Sequence, residues 1–290
     1  MTNIVCAIAK NENSYVNEWC HHHLNIGFSH IYIYDNNNLN TPYIGDFIDK
    51  DILDKVTILD WRNIYHSQTQ FKAYQNCYDS YKFDWCLFCD LDEFLMGISD
   101  INDFLAQDKF KNFEQIKIQW KIFGDNDCID RDRTIPVTKF FTKEATTQGH
   151  PMVKSIVRGN VIGLTTNDCH IMRKYNWQKL TTCFPSGKAC SEEGCLSLHT
   201  NPPDDYTGEV VFIYHYITKT LAEFLENKYM MDDPCFTGRY RTLKYFWRYN
   251  KKTLEKEKYL NNFLDAHNLL PVTRQVGLPL SWEELKCIKK

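Results

Sequence analysis

The first 95 residues change hydrophobic period repeatedly, and this alternation constrains the fold more than any other feature. "NIVCAIA" (3–9) is a short apolar run of strand type that ends at Lys10, Asn11 and Glu12. In "NSYVNEWCHHHLNIG" (13–27), Val16, Trp19, Cys20, His23 and Ile26 recur at helical spacing. Asn13 is placed to cap this helix and Gly27 to end it. "HIYIY" (30–34) reads as a second strand, leading to Asp35 and an Asn-rich turn, and a short helix is expected over 42–50. "KVTIL" (55–59) is a third strand ending at Asp60, "SQTQFKAYQNCYDSY" (67–81) a second long helix, and "WCLFC" (85–89) a fourth strand. Strand and helix thus alternate three times, the pattern of an α/β chain with a parallel sheet covered by helices. Ligands of such sheets bind beyond the carboxyl ends of the strands. Here those ends carry Lys10 to Glu12, Asp35, Asp60, and Asp90 with Asp92.

Beyond residue 100 the periodicity weakens. "QIKIQWKIFG" (115–124) alternates as a half-exposed strand, "KSIVRGNVIGL" (154–164) reads as a strand pair, and "EVVFIYHYI" (209–217) as a strand leading into a helix at "TLAEFLENKYMM". With no repeat, linker or low-complexity tract, the expected organisation is a single domain, 1–290. It has a nucleotide-binding half (1–100), an acceptor and metal half (101–235) and a basic, aromatic helical extension (236–290).

Charge narrows the function. Against 37 Asp and Glu stand 34 Lys and Arg, a net charge of −3, so no nucleic-acid partner is expected. The start, "MTNIVCAIAKNEN", lacks the basic segment of a secretory leader, and no stretch approaches a membrane span. The expected location is cytoplasmic, with the twelve cysteines mostly reduced.

Within "WCLFCDLDEFL" (85–95), Asp90, Asp92 and Glu93 follow a greasy strand. Like charges this close repel, and burying them unpaired is costly. In an extended segment Asp90 and Asp92 point to the same side. There they can hold Mn²⁺ or Mg²⁺, cations that favour oxygen ligands and complete their shell with substrate phosphates. The bland alternative is an acidic loop that caps the next helix, since short D-x-D matches arise often by chance.

Several stretches in order resemble glycosyltransferase family 92 and the family 2-like group. They are "AIAKNENSYVNEWCHHHLNIGFSHIYIYDNN" (7–37), "DWCLFCDLDEFL" (84–95), "WKIFG" (120–124), "KSIV" (154–157), His170 and "YHYITKT" (214–220) with Lys228. The resemblance implies a GT-A-type fold, a mostly parallel twisted sheet flanked by helices. It implies a UDP-sugar donor, a Mn²⁺ or Mg²⁺ ion and inversion at the anomeric carbon. By position, the implied metal set is Asp90, Asp92 and His215. The implied donor-binding set is Ala9, Lys10, Asn11, Glu12, Asp35, Lys72, Asp90 and Lys219. The chain departs from the family pattern after Lys228, where it reads "KYMMDDPCFTGRY", which places the donor lid in question.

An inverting transfer needs a base for the acceptor hydroxyl. "FGDND" (123–127) offers Asp125, the assigned base, with Glu93 and Asp168 as alternatives. Trp120, Phe123 and Gly124 are assigned to the acceptor, the two rings as a wall for a sugar face; an ordinary Asx-type turn is the competing reading. His21, His22 and His23 fan out on one helix, so packing outweighs a shared ion. Cys86 and Cys89 read as core thiols. Cys183, Cys190, Cys195 and His199 have loose spacing for a zinc site. Over 239–258, eight basic residues are interleaved with aromatics, a composition suited to the surface of an anionic bilayer or to a solvated helix packed by its aromatic face.

The sequence therefore reads as a metal-dependent glycosyltransferase that moves galactose from UDP-galactose to a hydroxyl of a glycan or lipid-linked glycan at the inner face of a membrane. The rival is a non-catalytic nucleotide-sugar or carbohydrate-binding protein on the same scaffold. Release of UDP from donor plus acceptor separates the two.

Overall fold

A computed structural model describes residues 1–64, 68–145, 152–175, 178–190, 210–231 and 240–269. In chain order its elements are β1 (Asn3–Ala9), α1 (Val16–Asn25), β2 (His30–Asp35), β3 (Val56–Asp60), α2 (Thr69–Ser80), β4 (Trp85–Phe88), β5 (Glu93–Met96) and α3 (Ile101–Leu105). There follow β6 (Gln115–Ile122), α4 (Val137–Phe140), β7 (Val153–Arg158), β8 (Leu164–Thr165), β9 (Arg173–Lys174), β10 (Thr182–Cys183) and β11 (Phe212–His215). The last three elements among the described residues are α5 (Leu221–Asn227), α6 (Leu243–Tyr249) and α7 (Leu254–Ala266).

The main sheet runs β3-β2-β1-β4-β7-β6-β11-β5, with β10 beside β6. Its first four strands are parallel, as the sequence leads one to expect, while β7 runs antiparallel to both β4 and β6. β1 and β4 are buried on both faces because α2 covers one of them. Cys6, Tyr34, Cys86 and Phe88 of the sheet pack there with Ala73, Tyr74 and Cys77 of the helix. Cys86 and Cys89 are free, buried thiols, as expected of core cysteines.

The chain forms two compact units. The first comprises 1–121 and 149–215, the second 122–148 and 216–290. In the first unit, α1 buries Val16, Trp19, Cys20 and His23, the expected apolar stripe. Gly27, at φ +96°, ends it in a conformation that favours glycine. Asn13 does not cap α1. Its amide donates to the Pro42 carbonyl and its oxygen accepts from Asn37, so it ties loops together instead. The helix expected over 42–50 is two 3₁₀ turns, Ile44–Phe47 and Lys50–Lys55. The strand pair expected over 154–164 does not form either: β7 joins the main sheet and β8 pairs with β9.

In the second unit, the basic stretch 239–258 is not one helix. α6 ends at Asn250, whose amide donates to Thr218 Oγ1 (2.9 Å) and whose oxygen accepts the Asp125 N–H (2.7 Å). No helix among the described residues is long and apolar enough to cross a membrane.

Candidate metal and donor site

β4 carries the chain to a sheet edge, where it reverses rather than continuing extended. Glu93 N–H donates to the Asp90 carbonyl (3.0 Å) and Asp90 N–H donates to Glu93 Oε2 (3.0 Å), closing a turn over residues 90–93. This corrects the expectation that Asp90 and Asp92 lie on one side of an extended segment. The turn sends their carboxylates to different partners.

Asp90 faces α2 and β7. Its Oδ1 accepts from Gln70 Nε2 (2.7 Å) and Tyr74 OH (3.3 Å), and its Oδ2 from Lys154 Nζ (3.0 Å). Asp92 faces β11: its Oδ2 is 3.4 Å from His215 Nε2. The register explains the meeting, because β11 pairs antiparallel with β5 and sets His215 opposite Glu93. His215 Nδ1 is 3.7 Å from Glu93 Oε1. The Trp120 ring lies edge-on to His215 (centroids 4.3 Å apart) and 5.2 Å from His170. The Glu93 carbonyl accepts the Trp19 indole N–H (2.8 Å), which anchors the start of β5 to α1.

The electrostatics follow from burial. Desolvation raises the pKa of both Asp90 and Glu93, but the Lys154 ammonium wins at Asp90 and holds it below the usual carboxylate value. At Glu93 desolvation wins, and its carboxyl is pushed well above the ordinary range. Lys154 is itself disfavoured as a cation by burial, yet Asp90 and Glu93 raise its pKa well above the usual lysine value.

Asp92, Glu93 and His215 are all buried, and their ligating atoms lie within 4.8 Å of one another. Glu93 Oε1 is buried and accepts no hydrogen bond from a described residue. Two carboxylates and an imidazole with an unused buried acceptor fit a divalent cation such as Mn²⁺. Of the implied metal set, the structure thus brings Asp92 and His215 together and holds Asp90 toward Lys154. Glu93, read from the sequence only as an alternative base, joins the cluster.

The other expected residues are placed as follows. Asp35 is fully buried, and its carboxylate accepts the N–H groups of Asn37 (3.1 Å) and Ile44 (3.2 Å), which shapes the loop beyond β2. Ala9 pairs with Asp35 in the ladder. Lys10 and Glu12 follow β1, and between them Asn11 takes φ +59° and donates its N–H to Asn37 Oδ1. Lys72 is exposed on α2. Asp168 accepts the His170 N–H (2.7 Å), and burial raises its pKa. His21 bonds Asp49, His22 bonds the Leu95 carbonyl, and His23 is buried against the Trp19 carbonyl, so the three do fan apart. Cys183 is buried, and the Cys190 N–H donates to Thr182; Cys195 and His199 lie outside the described residues.

Phe123, Gly124, Asp125 and Lys219 belong to the second unit. Asp125 lines a cleft of about 80 Å³ with Gly124, Lys143, Tyr249 and Asn250. Burial raises its pKa against the pull of Lys256, whose Nζ sits 2.5 Å from its Oδ2. A Cβ on Gly124 would stand 2.8 Å from Asn250 Oδ1 and 3.0 Å from the Tyr249 carbonyl, so this position has no room for a side chain. Asn126 and Asp127 both take positive φ (57° and 63°), a strained pair held by the surrounding bonds. Lys219 is buried, also at positive φ. The first turn of α5 is capped from within the second unit. Thr220 and Glu223 form a capping box, and Ala222 N–H donates to the Ile129 carbonyl.

An acid–histidine cluster thus stands where the turn after β4 meets the β5–β11 pair. The chain belongs to glycosyltransferase family 92, whose family model matches residues 4–183. Among solved structures, it is similar to the crystal structure of S. aureus TarS, at 14% identity and a TM-score of 0.39, over 98% of this chain and 46% of TarS. The chain thus spans less than half the length of that protein. No curated protein matches it.

Proposed function

We propose that the chain transfers a sugar from a UDP-sugar, with galactose as the first candidate, to a hydroxyl of a glycan or lipid-linked glycan, with inversion. The observation that carries this reading is the buried Asp92–Glu93–His215 cluster in a chain of this family. Bound there, Mn²⁺ or Mg²⁺ would neutralise charge developing on the diphosphate leaving group. Asp92, Glu93 and His215 would hold it.

The chain's own residues do the rest. Asp90, one-third exposed (34%), is assigned to the donor. Lys10, Asn11 and Glu12 beyond β1 are assigned to the nucleotide, with Asp35 shaping the wall beside them. Lys72 and Lys219 are further donor contacts. Trp120, Phe123 and Gly124 are assigned to the acceptor. Asp125 takes the acceptor proton, since burial has moved its carboxyl up toward the range useful to a base. The exposed cations of the C-terminal helices are assigned to an anionic membrane surface.

Calorimetry tests the core of this reading. UDP is expected to bind in the presence of Mn²⁺ and at least tenfold more weakly without it, and more tightly than GDP. Asp92→Asn should abolish the Mn²⁺ effect. UDP binding that ignores Mn²⁺ would overturn the metal reading, and tighter GDP binding would overturn the uridine assignment. If UDP binds but no acceptor draws UDP out of UDP-galactose, the non-catalytic alternative stands.

A further inference from the structure

Lys154 contacts the acidic turn directly through its buried ammonium. It stands on β7, fully buried, with its Nζ 3.0 Å from Asp90 Oδ2, 3.4 Å from Glu93 Oε2 and 3.2 Å from the Cys169 carbonyl oxygen. The ammonium donates hydrogen bonds to Asp90 and the Cys169 carbonyl and makes an ion pair with Glu93. Fully buried and facing these internal partners, Lys154 is engaged within the protein. Its contacts also divide the acidic cluster. They engage Asp90 and one oxygen of Glu93, and leave Glu93 Oε1, Asp92 and His215 together on the other side.

We propose that Lys154 is a positioning residue that partitions the acidic turn: it forms an internal neutral pair with Asp90, keeps that carboxylate off the cation, and so confines the metal to Asp92, Glu93 and His215. This inference rests on the metal reading given above. With Asp90 balanced by Lys154, Asp92 and an ionised Glu93 would leave a surplus of two negative charges for a divalent ion. Without Lys154 the surplus would be larger, and Asp90 would be drawn to the metal and away from Gln70 and Tyr74.

The assignment makes an unusual demand. Removing a cation within a few ångströms of a metal strengthens metal binding, on the order of tenfold even at a high effective dielectric, and the double variant below separates the release of Asp90 from the loss of the charge pair. Mn²⁺ uptake is measured by the loss of the free-ion electron paramagnetic resonance signal. In folded Lys154→Met the Mn²⁺ affinity should rise by roughly tenfold. Equal or weaker binding would overturn the proposal.

Because an unpaired buried carboxylate destabilises, Lys154→Met risks not folding. The double variant Lys154→Met with Asp90→Asn removes the neutral pair as a unit. It should fold and bind Mn²⁺ within about threefold of the wild type, since the charge around the ion is unchanged. If the double variant loses binding by more than about tenfold, Asp90 is itself a ligand and the partition is wrong. Wild-type protein that takes up no Mn²⁺ would instead overturn the metal reading, and this assignment with it.

Discussion

His215 stands directly opposite Glu93 in the antiparallel ladder between β11 and β5, and its ring places Nε2 3.4 Å from Asp92. A strand pairing across more than a hundred residues of chain thus delivers the imidazole to the acidic turn. If His215 is a ligand, His215→Ala should weaken Mn²⁺ binding by at least tenfold while leaving metal-free UDP affinity unchanged. If it serves the diphosphate, the pattern reverses. A folded variant that shows neither effect makes His215 a packing residue beside Trp120.

His23 makes stability depend on pH. It is buried on α1, and burial first, then neighbouring His22, hold its pKa well below 6.5. Below that value the unfolded chain takes up a proton that the folded chain refuses. The stability contributed by keeping His23 neutral is therefore fully present above pH 6.5 and is lost as pH falls below it. His22, lowered in the same direction chiefly by burial, adds to the effect. The loss per site approaches about 1.4 kcal/mol per pH unit. Urea midpoints at about pH 7.5 and 5.5 should differ, and His23→Phe should narrow the gap by roughly 1 kcal/mol. A variant with the wild-type gap would clear His23 of responsibility.

The fold was legible where the signal is local. β1 to β4, α1 and α2 lie within a residue or three of the expected bounds, because each carries its own period and buries its own stripe. The site was legible only in part. Asp92 stood out by spacing, and His215 by resemblance. The turn at 90–93 was hidden because the aspartates of "DLDE", themselves common turn residues, also suit ligands on an extended segment. Lys154 was hidden for a different reason: it meets Asp90 across 64 positions of chain, and no local pattern reports a partner brought in by sheet order. Asn13 and Asn250 show the same limit. Each has the chemistry of a cap, and the tertiary structure uses each to tie separate loops.

The Asp125–Lys256 pair should be a stability determinant of the second unit as well as part of the proposed chemistry. Both side chains are almost fully buried. Lys256→Met strands a buried carboxylate, which should cost about 3–5 kcal/mol. Adding Asp125→Asn removes that charge, and at least half the loss should return. If Lys256→Met unfolds at the wild-type denaturant concentration, the pair contributes nothing to stability and Asp125 must be solvated in solution.

The last prediction concerns the basic surface. α6 buries Leu243, Phe246 and Tyr249, and Tyr245 and Trp247 are half-buried beside them. Much of what remains outside is cationic. Lys244 and Arg248 are exposed four residues apart, hence on one face of the helix, and Lys251, Lys252 and the 84%-exposed Leu254 follow. Arg241 and Arg248 lie over the rings of Tyr245 and Tyr249, with the guanidinium carbon 4.9 and 5.7 Å from the centroids. A surface of this kind binds by charge with little insertion. Each basic residue near an anionic bilayer contributes on the order of 1 kcal/mol, and the attraction is screened within a Debye length. The wild-type protein should therefore co-float with liposomes rich in phosphatidylserine at low salt, and be released as salt is raised. Neutral liposomes should leave it behind at any salt, because the attraction is to the anionic charge and Phe246 and Tyr249 are buried. Changing Arg241, Lys244, Arg248 and Lys252 to Gln should reduce anionic binding at least a hundredfold if even three of the four contribute their share. Wild-type protein that stays behind with anionic liposomes at low salt would remove the membrane from the account.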